Sequence, residues 1–93
     1  MKDFVSSSPL KKDVKLAQRR NKDLTLFKQV ICWLTAEQPL PQNLKDHVLI
    51  GNWNGSREVH LEPDFLFIYR ITDTSIIGER LGTHSDLFFK QRR

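Results

Sequence analysis

Apolar positions recur at two different spacings along this 93-residue chain. In the first part they repeat every three or four residues, the period of a helix buried along one face. Leu10, Val14 and Ala17 mark one such edge; Leu24, Phe27, Val30, Ile31 and Leu34 mark another. A short strand at Phe4-Val5 leads into the first helix, with Ser8 as N-cap and Pro9 at the first helical position. Asn21-Lys22-Asp23 breaks the pattern, and Asp23 caps a second helix running to about Glu37, where Pro39 and Pro41 stop it. The pair reads as a helical hairpin. Gln42 to Asn54, with Gly51 and Gly55 near its end, reads as an irregular connection, so His47 is expected on a loop.

From Ser56 the period becomes two. Val59 and Leu61 alternate with Glu58, His60 and Glu62, which sends His60 to the polar face of a strand. Glu62-Pro63-Asp64 makes a turn. Phe65-Leu66-Phe67-Ile68-Tyr69 is apolar on both faces and reads as a central strand, and after Asp73-Thr74-Ser75 a last strand covers Ile76 to Leu81. Three antiparallel strands are expected. Gly82 ends the last one, and Thr83 to Phe89 forms a turn or helical stub presenting His84 and Phe88 beside the sheet. The fold class is α+β, two N-terminal helices on a twisted, mainly antiparallel sheet.

This length fits one domain, residues 1–93, with a modest core. No apolar run reaches the length of a membrane span or a signal-peptide core, so no membrane association and a cytoplasmic location are expected. A single cysteine excludes an internal disulfide, and Cys32, inside Val30-Ile31-Cys32-Trp33-Leu34, reads as a buried small hydrophobe. The net charge of +4 is unevenly spread: residues 1–30 hold eight Lys/Arg against three Asp, and residues 31–93 hold seven against eight acids. On the first helix Lys11, Lys12, Lys15 and Arg19, with Arg20 and Lys22, make a basic stripe suited to a phosphate backbone, opposed only by Asp13.

His47, His60 and His84 all lie in the second half, among Asp46, Asp64, Arg80 and a terminal aromatic pair. Imidazole, with an ordinary pKa of about 6.5, both takes and gives a proton near neutrality. Metal-free RNA cleavage needs a base for the 2′-hydroxyl, an acid for the departing 5′-oxygen and cationic or donor groups for the phosphate. The histidines and Arg80 supply those types, Asp64 could orient an imidazole or act as the base, and Phe65 and Phe88 could stack on a base. Which group is acid and which base stays open at this level. A zinc site is disfavoured because the histidines are far apart in sequence. The competing reading is a non-catalytic RNA-binding or interaction module in which the histidines are incidental.

The strings KDHVLIGNWNGSREVHLEPDFLFIYRI and ERLGTHSDLF, with KKDVKLAQRRNKDL near the N-terminus, closely resemble the YafQ branch of the RelE superfamily of bacterial type II toxins over about Ser7 to Phe88. The resemblance implies a RelE-like domain and a ribosome-dependent endoribonuclease that cuts mRNA in the aminoacyl site. It also implies silencing by a cognate acidic antitoxin, of ribbon-helix-helix type, through which alone promoter DNA would be bound; the 70S ribosome and mRNA are the other partners. It carries active-site roles to His47, His60, Asp64, Arg80, His84 and Phe88, with no metal or cofactor. One departure stands out: Phe65 follows Asp64 where the YafQ type has tryptophan, which loses an indole donor.

Overall fold

The computed structural model describes residues 1–89. Its elements are β1 (Asp3–Ser6), α1 (Ser8–Arg19), α2 (Thr25–Thr35), β2 (His47–Val48), β3 (Arg57–Glu62), β4 (Phe65–Ile71) and β5 (Ser75–Gly82). Short 3₁₀ turns lie at Gln42–Leu44 and Gly51–Trp53, and a π-helical turn at Ser85–Phe89 closes the described chain. The class is α+β as expected, but the sheet has five strands, in the order β1-β5-β4-β3-β2. All neighbours are antiparallel except β1 and β5, which run parallel. The expected strand at Phe4-Val5 is present as β1, but the expected three-stranded sheet lacked β2 and did not include β1, for physical reasons. The two-residue β2 is too short to show a period, and β1 finds its partner only at the far end of the chain.

The sheet is organised around β4. Every side chain from Phe65 to Tyr69 is buried, and alternation splits them between two faces. Phe65, Phe67 and Tyr69 join Leu10, Ala17, Phe27, Val30 and Leu34 from the helices, together with Val59, Ile76 and Leu81. Leu66 and Ile68 point the other way and are covered by Leu87 of the C-terminal turn, with Leu49, Trp53 and Phe88 at the margin.

Both helices lie on the first face, and their termini follow local chemistry. The N-cap of α1 is Ser7 rather than Ser8: its Oγ accepts from the Leu10 N–H at 3.1 Å and donates to the Glu79 carbonyl at 2.9 Å. The helix start is thereby welded to β5, and Pro9 occupies the second helical position. Asn21, at φ 59°, turns the chain out of α1 in the left-handed conformation common after a helix end, and the N-cap of α2 is Leu24 rather than Asp23, which stands one residue earlier and accepts from the Thr25 N–H at 2.9 Å. Cys32 is exposed, contrary to the sequence expectation. A five-residue apolar run circles a helix completely, and position 32 falls opposite the stripe formed by Phe27, Val30 and Leu34. Among the described residues no helix is long and apolar enough to cross a membrane.

β1 covers β5 only from Ser75 to Gly78. Beyond it the β5 edge is closed by α1: Asp13 Oδ2 accepts from the Leu81 N–H at 2.9 Å. Just there β5 bulges, Ile68 pairing with Arg80 and Tyr69 with Gly78, so that Glu79 is an extra residue. Gly78 is required by packing, because a Cβ on it would lie 2.5 Å from Leu10 Cδ2 and 2.7 Å from Phe4 Cζ. Gly78→Ala should therefore destabilise the chain by about 1–3 kcal/mol through overpacking. In urea titrations the cost should shrink when Leu10→Ala is added, since the two substitutions share one space.

Candidate active site

Three elements bring the histidines together. β2 pairs with β3 so that His47 stands opposite Glu58, and His60 follows two residues later on the same face. His47 is therefore a strand residue and not a loop residue. Its strand is anchored one position earlier by Asp46, which accepts from Arg57 Nε at 3.2 Å, Arg57 Nη2 at 3.0 Å and the Tyr69 hydroxyl at 2.6 Å. Burial, and then the bond to Asp46, push the Tyr69 phenol well above its usual range, so it stays a proton donor.

The rings form a continuous row. His47 and His60 stack at 5.9 Å between centroids, His60 and His84 are 6.1 Å apart, His84 and Phe88 6.2 Å, and Phe88 meets Trp53 edge-on at 6.5 Å. Beneath one end lies Glu58, only 5% exposed, its Oε1 3.2 Å from His47 Nε2 and 3.8 Å from His60 Nε2. His47 Nδ1 is 2.7 Å from the Lys45 carbonyl, which can only accept, so Nδ1 carries hydrogen. Nε2 is then the ring nitrogen facing Glu58 Oε1, a contact that becomes an ion pair when the ring is protonated. His60 Nδ1 is buried without a hydrogen-bond partner among the described residues.

At the other end Asp64, in the β3–β4 turn, holds His84 twice through one oxygen: the backbone N–H at 2.8 Å and ring Nδ1 at 2.6 Å. The backbone bond first, and the ring bond second, hold the Asp64 carboxyl below its ordinary range. An ionised carboxylate accepts only, so His84 Nδ1 carries hydrogen and Nε2 is left for a substrate.

His47, His60, Asp64, His84 and Phe88 thus converge as the sequence suggested. Arg80 is placed differently: its Nε and Nη2 bind Asp13 of α1 at 2.7 and 3.1 Å, leaving Nη1 as the nitrogen not held there. Phe65 is corrected outright. It is 3% exposed, on the helix-covered face, with Lys22 Nζ 4.6 Å above its ring, and it packs the core instead of offering a stacking surface. Lys11, Lys12, Lys15 and Arg19 are all exposed along α1. Sequence reasoning missed Glu58, although its i, i+2 relation to His60 was the available signal; Trp53 packs edge-on beside Phe88.

The distance between histidines in sequence proved no bar to a metal-binding geometry. One ligand atom from each of His47, Glu58 and His60 lies within 4.8 Å of the others. Strand pairing, not a short motif, assembles this set, and two imidazole nitrogens with a carboxylate oxygen suit zinc or copper.

Residues 2–89 match the family described as bacterial toxin of type II toxin-antitoxin system, YafQ. The mRNA interferase toxin YafQ of Escherichia coli K12 is 46% identical over 88 residues, 94% of this chain and 96% of that protein. In the crystal structure of the E. coli DinJ-YafQ toxin-antitoxin complex, a chain 45% identical superposes with a TM-score of 0.86, covering 94% of this chain and 97% of that one. A metal-bound toxin from Helicobacter pylori is 39% identical with a TM-score of 0.88, over 95% of this chain and 100% of its own.

The hold of Asp64 on His84 has a pH signature. A carboxyl with a depressed folded pKa contributes stability that is fully present above its unfolded value, near 4, and lost as pH falls through the folded value. Thermal melts taken from pH 6 downward should show a smaller acid-side loss in Asp64→Asn than in the parent. Added salt should narrow the gap, because the pair is exposed.

Proposed function

This chain belongs to the YafQ family of toxins from type II toxin-antitoxin systems, and on that premise we propose that it is an mRNA interferase cutting messages in the ribosomal aminoacyl site, silenced by a cognate antitoxin. The observation that carries the reading is the row His47–His60–His84–Phe88, with an ionised Asp64 fixing the ring of His84. Two proton-handling poles stand a few ångströms apart beside an aromatic platform, which is what attack of a 2′-hydroxyl on its neighbouring phosphate requires.

In this reading Phe88 stacks on a codon base and sets the phosphate against the histidines. The 2′-oxygen bonds to phosphorus while the bond to the 5′-oxygen breaks. His84, as imidazolium with Nδ1–H committed to Asp64, delivers the Nε2 proton to that leaving oxygen. The 2′-hydroxyl proton passes to the opposite pole formed by His60, Glu58 and His47, leaving a cyclic phosphate and a free 5′-hydroxyl. Arg80 offers Nη1 to a phosphate oxygen. Each proton transfer is worth ~10²- to 10⁴-fold, so much of the acceleration rests on in-line positioning, which the ribosome provides. A protein acting there works in the cytoplasm.

A divalent ion held by His47, Glu58 and His60 would supply Lewis acidity at that end of the row. It would also engage the atoms that face each other there, His47 Nε2 and Glu58 Oε1, and so take them out of proton transfer. Protonic catalysis and metal binding there are mutually exclusive, and we assign the cleavage to the protonic form.

Exposed bases on α1 dock to ribosomal RNA, and an acidic antitoxin segment competes for the same field; such an antitoxin, of ribbon-helix-helix type, would bring the complex to promoter DNA. With Lys11, Lys12, Lys15 and Arg19 all changed to Gln, ribosome affinity should fall and its salt slope flatten by about one unit per lost phosphate contact. An unchanged slope would reduce the stripe to a solvated helix face. His84→Ala should melt close to the parent and still bind antitoxin, yet cut a ribosome-bound message ~10²-fold or more slowly. Chelator should leave the parental rate intact while added zinc or copper lowers it. A variant that still cuts at the parental rate, or an activity abolished by chelation, would refute the assignment.

A further inference from the structure

His84 is gripped from a second side. It lies between Thr83 and Asp86, which form a reciprocal cap on the π-helical turn: the Asp86 N–H donates to Thr83 Oγ1 at 3.1 Å and the Thr83 N–H to Asp86 Oδ2 at 3.2 Å. The turn proper begins with the Leu87 N–H on the Thr83 carbonyl at 3.0 Å, and the fully buried Leu87 packs on Leu66 and Ile68. The same Oδ2 of Asp86 accepts from Arg20 Nη1 at 3.0 Å, from the end of α1. Gly82 makes room for this, since a Cβ there would lie 3.0 Å from both Cβ and Oδ2 of Asp86.

We propose that Asp86 is a positioning residue for His84 and that Arg20 is its counter-ion, a strut from the basic helix to the active-site turn and not a phosphate ligand. Asp64 holds the His84 N–H and ring from the β3–β4 turn, while Asp86 fixes the backbone on either side of that residue. Without the second grip the His84 backbone keeps only the Asp64 side chain, 65% exposed, and the Leu87 anchor beyond it, whereas the Asp86 side chain is only 14% exposed. Burial opposes charge on Asp86, but Arg20 and the Thr83 N–H more than offset it and hold the carboxyl below its ordinary range. The basic stripe is therefore divided by function. Lys11, Lys12, Lys15 and Arg19 are exposed along the helix, while Arg20, also exposed, is engaged by a carboxylate.

The proposal rests on the reading of His84 as a proton donor to RNA, and the test separates the two. Asp86→Ala, Arg20→Ala, their double variant and Asp86→Asn would be prepared as full chains. Amide hydrogen exchange at His84 would be measured in the free protein, with single-turnover cleavage and affinity on message-bearing ribosomes. Asp86→Ala and Arg20→Ala should each speed exchange at His84 without affecting β4, and slow cleavage by about 10- to 10²-fold, the cost of a displaced acid. Ribosome affinity should not change. The double variant should be no worse than Asp86→Ala, because both remove one link. Asp86→Asn keeps an acceptor for the Thr83 N–H and should recover most of the loss, and it serves also if the alanine variant does not fold. Arg20→Ala weakening ribosome binding at an unchanged cleavage rate would make Arg20 a phosphate ligand and overturn the proposal. So would parental exchange and rate in Asp86→Ala. If the parent itself does not cleave, the functional reading fails, and the exchange measurements still decide whether Asp86 and Arg20 hold His84.

Discussion

The rest of the structure depends on the two-sided burial of β4. A strand apolar on one face needs one covering layer; Phe65 to Tyr69 need two. The helices supply the first, and their packing onto Phe67 and Tyr69 is the larger part of the core. The second layer is thin: Leu66 and Ile68 draw down Leu87, with Trp53 and Phe88 at the margin. That small cluster fixes the polypeptide on either side of the histidine row. It plants the turn that carries His84 and the loop that carries Trp53 on the same face as His60, so the geometry of the histidine row follows from the need to keep two aliphatic side chains out of water.

The two faces also differ in chemistry. On the helix side polar groups serve connection: Ser7 ties α1 to Glu79, Asp13 closes the β5 edge, and Asp46 with Arg57 and Tyr69 steadies β2. On the other side protonatable groups lie side by side with protons to share. Glu58 is the clearest case, a carboxylate almost out of solvent whose Oε1 faces imidazole nitrogens on two strands. Such a group is costly to bury unless charged or polar partners face it, as the two imidazoles do here.

Much of this was legible in the residues. Period-3.6 and period-2 patterns gave both helices, the three long strands and the outward face of His60, and the GTHSDLF string placed His84 and Phe88 beside the sheet. What stayed hidden was whatever depends on distant pairing. The parallel partnership of β1 with β5 has no local signature, and neither has the bond by which Asp13 captures Arg80. Phe65 misled for a different reason: a stacking role was offered to it as the aromatic after Asp64, but it alternates in step with Phe67 and Tyr69 and its side chain enters the helix-covered core. Cys32 misled because an unbroken apolar run says nothing about direction once it is wound into a helix.

The strand order also sets a timetable for synthesis. β1 precedes every other strand, yet its partner among the described strands is β5, which follows all the others, and the row of rings lacks two members until residues 84 and 88 have been added. Closing so long a loop is entropically slow and cannot begin before its far end exists. A nascent or prematurely terminated copy therefore has an unpaired first strand, no Arg80 for Asp13 and no His84 for Asp64.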